Sequence, residues 1–558
     1  MPRADRISVL VTSLIGCAPE VTAPPPDECA AELQLRESIS LLQLDAERNV
    51  DILFVIDDSA SMAEAQARLA RATAELIAAL EQDRANYRIG ITTTNSGNPW
   101  CPIDVTTPEA GQLVASSCKA RLGDFVSEGG DDAQIDAQEL ACNEVCSLAA
   151  DALVIQATRT DVDPTPNPRP WLERIEGISN LPADIAPADA LACMLPQGVA
   201  GCGFEAPLES MYLALQRALT STEASYGFLR AGTAPVIVML TDEVDCSYAD
   251  EWSDIFSASG SKVFWSDPDA AAPSSALCWN AGVQCIGDPS GYDSCDPVDK
   301  DITGDPTRKP ADAVLYPLAR YTDLLVGLEE QARAFAPKRE AIVLTLAGVA
   351  EDGSLRYADD PDLAAQDEYG IGPGCVAPGT SALPPVRLRD FTDAITPGNL
   401  HSICSPDYGP AMTALIEHIR AQWGHGCFWQ CAADTDPTTD VLDPECAVEQ
   451  KYPGEPATFV RECARNGDGS YAIDPSTSYY AMPADDVDVC FAYLRDPAGT
   501  RTADPMDDMS SECTDYHLNL QFAIARRRGV PAPAGASISV DCTLADCPQY
   551  DCPNIGEL

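Results

Sequence analysis

Ile52, Leu53, Phe54, Val55 and Ile56 form an unbroken apolar run that ends in Asp57-Asp58-Ser59-Ala60-Ser61. A strand with one wet face would alternate, so a continuous run reads as a strand buried on both faces of a parallel sheet. Met62, Ala65, Leu69, Ala72, Leu76 and Leu80 follow at spacings of three and four, which predicts an amphipathic helix over 62–82. The loop between them then lies at the carboxyl edge of the sheet, where open α/β sheets bind ligands. One carboxylate and two hydroxyls at alternate positions are hard oxygen donors, suited to a small hard cation that keeps several waters. The competing reading is local: Ser and Asp are favoured helix N-caps, and Ser59 and Ser61 stand where a cap would.

A second run strengthens the metal reading. Val236, Ile237, Val238, Met239 and Leu240 lead into Thr241-Asp242-Glu243, so two buried strands bring carboxylates to one edge. DxSxS after one strand and Asp after another resemble the von Willebrand factor type A domain and its metal-ion-dependent adhesion site. That resemblance implies that Ser59 and Ser61 bind a divalent cation (Mg²⁺, Mn²⁺ or Ca²⁺) directly. Asp57 and Asp242 would hold it largely through waters, leaving a position for a carboxylate from a protein or surface partner. The family also supplies a Thr from a glycine-containing loop ahead of a helix. The matching stretch here is Gly201-Cys202-Gly203-Phe204-Glu205, with Ser210 five residues on, so Glu205 stands where Thr is expected. Its carboxylate could ligate the ion, favouring a more Ca²⁺-like site, or fill the place of the partner's carboxylate. The bland alternative is a solvated first-turn residue favoured by the helix dipole.

Further strands are expected over 87–94, 341–347 and 400–404, with helices near 206–219 and 312–335 and a helical pattern at Ala411, Leu415, Ile416 and Ile419. Alternating strands and helices imply a doubly wound, mainly parallel α/β sheet, matching the order of the resembled domain from about residue 50 to 424. Long Cys-rich insertions are expected at 95–202, 243–310 and 348–398, all emerging at the metal edge and forming a disulfide-stapled cap there, against the alternative of peripheral decorations without contact to the site. From Cys427 onward, short strands such as NLQFAIARR and ASISVDC read as a small disulfide-rich β domain. The expected division is therefore 29–424 and 425–558.

The N-terminus points to the cell envelope. Arg3 and Arg6, a short apolar stretch from Ile7 to Ile15, and Leu14-Ile15-Gly16-Cys17 resemble a bacterial lipoprotein signal peptide. By that resemblance residues 1–16 are removed, Cys17 is lipidated, 17–28 is a proline-rich tether, and Ala18 favours the outer membrane. The apolar stretch is too short to span a bilayer. The chain has 23 cysteines; without Cys17, 22 remain, a density that implies an oxidising compartment. Cys142/Cys146, Cys427/Cys431 and Cys542/Cys547 have spacings that zinc could use, but only 4 His accompany them and oxidation competes. Thirteen cysteines fall in 29–404 and nine after Cys427, so full pairing requires a bridge across the boundary.

A formal charge of -52 excludes nucleic acid as a partner and disfavours electrostatic attachment to anionic lipid, leaving the lipid on Cys17 as the membrane link. The same charge concentrates divalent cations. Asp434, Asp436, Asp440 and Asp468 read as Asx turns rather than as calcium loops, lacking the spacing of an EF-hand. No HExxH, GxSxG or P-loop is present, and an enzyme is not expected. Asp58, Glu243 and Asp245 crowd the site, so a metal-dependent hydrolase is the weakest alternative. The leading expectation is a lipid-anchored envelope protein that binds a ligand or partner through a divalent cation, for adhesion or surface recognition. Its alternative is a disulfide-rich scaffold with a degenerate or closed metal site.

Overall fold

The computed structural model describes residues 41–557 apart from 46, 102–107, 129–133, 337, 498 and 534. The expected leader, Cys17 and the 17–28 tether lie outside the described residues. No described helix is long and apolar enough to cross a membrane.

The largest sheet has seven strands in the order Leu400–Ser402, Ile342–Ala347, Pro235–Leu240, Asn49–Ile56, Asn86–Thr93, Leu172–Ile175, Ile178–Ser179. The first five run parallel. The last two form an antiparallel edge. Successive side chains of a strand point to opposite faces, and both faces of Asn49–Ile56 are covered. Ile52, Phe54 and Ile56 pack with residues of the helices Ala63–Gln82, Pro187–Met194 and Gly409–Ala421. Leu53 and Val55 pack with residues of Pro207–Leu219, Ala319–Arg333 and Val386–Ile395. Each such side chain contributes about 1.5–3 kcal/mol by leaving water. The antiparallel edge turns at Glu176 and Gly177, both left-handed (φ 45° and 74°), as a two-residue hairpin loop requires. Asn86 fastens that turn: its side chain donates to Glu176 Oε1 (2.8 Å) and accepts from the Glu176 amide (2.7 Å).

The expected fold class, a doubly wound, mainly parallel sheet with insertions and one small β domain, is corrected by this topology. Only seven described strands belong to the central sheet, which is itself mixed. The others form eight small sheets, antiparallel but for the pairings of Arg461–Glu462 with Val489–Leu494 and Asp496–Pro497 with Asp508–Met509. Many of these strands are two or three residues long, and cysteine bridges supply much of the cross-linking that a larger hydrophobic layer would otherwise provide.

The C-terminal part is built on a four-stranded antiparallel sheet in the order Leu41–Asp45, Ser537–Cys542, Cys446–Lys451, Thr458–Phe459. Leu44, Val448, Phe491, Phe522, Ile538 and Val540 share its core. The first described strand is thus completed by one of the last. Arg84, in the turn ahead of strand Asn86–Thr93, stacks on Tyr479 at 3.9 Å and donates to the carbonyls of Thr477 (3.0 Å) and Ser478 (3.1 Å), fastening the central sheet to this part.

Ten disulfides have both partners described. Six lie before residue 405. Four lie after residue 426. None of the ten crosses between the two parts, so the expected crossing bridge is not among them; Cys547 is disulfide-bonded as well. Cys142, Cys146, Cys427, Cys431, Cys542 and Cys547 are all disulfide-bonded, which removes them as zinc ligands.

Candidate functional site

The strand Asn49–Ile56 delivers Asp57 directly into the carboxyl edge, where the Asp57 amide donates to the Leu240 carbonyl (2.9 Å) of the neighbouring strand. Asp57 is fully buried. Its Oδ1 accepts from the Ser59 amide (2.8 Å) and its Oδ2 from the Thr241 hydroxyl (2.6 Å), so both strand ends converge on one carboxylate. The following helix begins at Ala63 with no side-chain capping bond, which sets aside the local capping reading of Ser59 and Ser61. Their hydroxyls instead face each other at 3.2 Å. Ser61 is exposed, and its hydroxyl acts on the Asp242 carboxyl, favouring the charged form.

Asp242 is 3% exposed, and its Oδ1 has no hydrogen-bond partner. Burial, and then the charge of Asp57, push its carboxyl up to about 8. Glu205 is not the solvated first-turn residue of the bland reading: it precedes the helix Pro207–Leu219 and is completely buried. Its Oε2 accepts from the Thr94 hydroxyl, while Oε1 has no partner. Burial raises its carboxyl well above the ordinary range, with Asp57, Asp58 and Glu243 adding to the effect. The Cys246 amide fixes the Glu205 carbonyl at 2.7 Å, tying this loop to the segment that follows Asp242.

Two further acids border the group. Asp58 is buried with Oδ1 unpartnered, and burial followed by Glu109 and Asp57 raises its carboxyl well above the usual value. Half-buried Glu243 is raised by burial, Asp57, Asp242 and Glu368. Asp245, expected among these acids, turns elsewhere: it pairs with buried Arg387 at 2.9 Å and accepts from Ser247 (2.6 Å). Among the described residues, none of Asp57, Asp58, Glu205, Asp242 and Glu243 forms an ion pair.

Sequence reasoning missed three positioning residues, Thr94, Gln66 and Thr93, and gave Gly201 no role beyond belonging to its loop. Thr94 follows its own strand as Asp57 and Thr241 follow theirs, and the run Thr92-Thr93-Thr94 at a strand terminus was the available signal. Gln66, 1% exposed in the first helix, donates to the carbonyls of Asp57 (2.8 Å) and Gly198 (2.7 Å) and accepts from the Gln197 amide (2.9 Å), holding two loops together. Gly201 lets its loop approach Asp58: its amide donates to the Asp58 carbonyl at 2.8 Å, and a Cβ there would meet Asp58 Cγ at 2.4 Å. Thr93 donates to Glu109 at 2.5 Å, which brings that acid beside Asp58.

The insertions crowd this edge. Leu383 donates its amide to the Asp242 carbonyl (2.8 Å), and Tyr369 and Glu368 lie close enough to act electrostatically on Asp242 or Glu243. Phe204, Val244 and the bridge Cys246–Cys278 share a core with Trp265, Trp279 and Ile371.

Orphaned buried oxygens on Asp58, Glu205 and Asp242, two hydroxyls at 3.2 Å and no cationic side chain paired with the acids form a donor set that fits a hard divalent cation. The carboxylates are not drawn tight. Among the described residues, three acidic ligand atoms within 4.8 Å of one another occur only at Asp496, Asp507 and Asp508. There Asp496 is already saturated by the amides of Thr500, Arg501 and Thr502 at 2.6–2.8 Å. Spaced acids with hydroxyls between them suit an ion held partly through waters. Asp434, Asp436 and Asp468 accept from backbone amides two residues on, the Asx turns expected of them.

No family model and no curated protein matches the chain. Among solved structures, it is similar to the pilus adhesin SpaC of Lactobacillus rhamnosus GG, at 8% identity and TM-score 0.26 in each of two crystal structures. The alignments cover 91% of this chain and 42% and 55% of the adhesin chains, so the chain spans about half their length. A likeness of that size assigns no family and carries no argument about activity.

Proposed function

We propose that this is a cell-envelope protein that recognises a ligand or protein partner through a divalent cation held at Ser59, Ser61, Asp57, Asp242 and Glu205. The observation that carries the reading is the set of buried acids with unpartnered oxygens and no paired base. Burying ionised carboxylates without compensation is costly, and a bound cation is the compensation such a set accepts. The likeness of these residues to the adhesion site of von Willebrand factor type A domains supports the same ligand set. Ten disulfides agree with an oxidising compartment, and attachment through a lipid on Cys17 belongs to the proposal.

When bound, the cation would supply positive charge and an open coordination position. The chain's own residues would orient it: Thr241 and the Ser59 amide aim Asp57, Thr94 aims Glu205, and the Ser59 and Ser61 hydroxyls offer paired oxygens. The test is thermal unfolding of the full chain with Mg²⁺, Mn²⁺ or Ca²⁺. At 100 times Kd the gain is about 2.7 kcal/mol, and Asp57→Ala or Asp242→Ala removes it. A wild-type protein indifferent to all three cations refutes the proposal.

A second reading is favoured by Glu205 itself. A fully buried carboxylate with one free oxygen could occupy the last coordination position, making the cation a structural part of a scaffold. Counting exchangeable waters on bound Mn²⁺ by magnetic relaxation separates the two: at least one in a recognition site, none in a closed one.

A further inference from the structure

At the opposite end of the central sheet, between the strand beginnings and the C-terminal part, lies a cavity of about 1530 Å³. Asn49, which opens the strand leading to Asp57, is on its wall, so it is separate from the cation site by the length of that strand. Its surface is mainly apolar, with Leu42, Ile178, Phe335 and Trp429 among the lining residues. Phe335, Ile178 and Trp429 are 38%, 50% and 56% exposed, apolar surface that neither core covers. The wall carries five basic and six acidic side chains, a more even balance than the 35 basic and 87 acidic residues of the chain, and Arg159, Lys338 and Arg339 are among the basic ones.

Arg339 is the informative member. It is 3% exposed, yet its Nε and Nη1 have no hydrogen-bond partner. Nη2 reaches only the Glu47 carbonyl (3.4 Å) and, loosely, Asp45 (3.8 Å). Two other arginines on the wall are engaged: buried Arg88 with Glu173 at 3.1 Å and Arg230 with Asp51 at 2.6 Å. A guanidinium held out of water with two idle donors is costly unless an acceptor arrives.

We propose that this cavity binds an amphiphilic anion, its carboxylate or phosphate head on Arg339 and its apolar body along Leu42, Ile178 and Phe335. Ligand pockets of this kind combine apolar walls with few polar anchors. The site is independent of the cation, so neither proposal falls with the other.

The test is calorimetric titration of the full chain with dodecanoate and with dodecyl phosphate, against dodecanol and acetate as tail-only and head-only controls. Saturable binding of one or both anions at least tenfold tighter than either control is expected, and the two arms tell carboxylate from phosphate. Arg339→Gln should weaken binding at least tenfold. Phe335→Asp, at an exposed wall position, should do the same where Arg339→Gln fails to fold. Dodecanol binding as tightly as dodecanoate, neither anion binding, or unchanged affinity in a folded Arg339→Gln or Phe335→Asp protein overturns the proposal.

Discussion

Gly201→Ala tests how closely the loop carrying Glu205 must approach the first strand end. The backbone at Gly201 is not left-handed, so an alanine meets no conformational penalty and the cost is one of space. The new Cβ would lie 2.4 Å from Asp58 Cγ and Oδ1 and 2.6 Å from Oδ2, inside any real contact distance. Asp58 is buried and cannot swing freely into solvent, so the loop must withdraw and stretch the 2.8 Å bond from the Gly201 amide to the Asp58 carbonyl. Overpacking costs about 1–3 kcal/mol and a weakened hydrogen bond about 0.5–1.5 kcal/mol, giving a loss of about 2–4 kcal/mol. Gly203→Ala is the control, because a Cβ there meets nothing within 4 Å. Urea unfolding of the two variants, with and without Ca²⁺, measures both quantities. Gly201→Ala should be destabilised and show a smaller cation-dependent gain, while Gly203→Ala should match wild type in both. Equal behaviour of the two variants, or a loss under about 0.5 kcal/mol at Gly201, refutes the close-approach argument.

Other expectations concern the frame around the site. Burial pushes Glu176 up to about 7 from its ordinary 4.5, so the folded state holds a proton that the unfolded state releases. Its contribution is present below pH 4.5 and lost as pH rises through 7, a decline of about 3 kcal/mol; Glu176→Gln should flatten it in unfolding curves taken across that window. Removing Arg387 strands the buried Asp245 charge, so Arg387→Leu should cost about 3–5 kcal/mol, and Asp245→Asn added to it should recover part of the loss. Replacing Cys101 and Cys202 by Ser opens a loop whose ends are 101 residues apart, within which the bridges Cys118–Cys142 and Cys146–Cys193 remain. The expected loss is about 3–4 kcal/mol, and cation affinity should fall too, since Cys202 lies three residues ahead of Glu205; unchanged affinity would show that the bridge does not position that loop.

The legible part of the molecule is the part with long-range periodicity. The apolar run before Asp57 lies within the strand Asn49–Ile56, and the helical spacing after it lies in Ala63–Gln82. Val236–Leu240 likewise falls in Pro235–Leu240 and carries Asp242 to the same edge. Strands such as Ala157–Thr158 or Ile178–Ser179 are too short to leave a period, which is why the expected fold class required correction. Asp245 illustrates a second limit. Three residues beyond Asp242, it reads as another site acid, but its partner Arg387 lies far along the chain on the helix Val386–Ile395, and no local pattern announces that pairing. Thr94 marks a third: its role depends on Glu205 arriving from another loop.

The pairing of Leu41–Asp45 with Ser537–Cys542 sets the order in which the molecule can be completed. A chain emerging N-terminus first presents an unpaired strand long before its partner exists, and closing so long a loop is slow. The C-terminal sheet can therefore finish only after the whole chain is available. Until then Leu44 has no core to enter and Leu41–Asp45 remains an open edge for foreign strands.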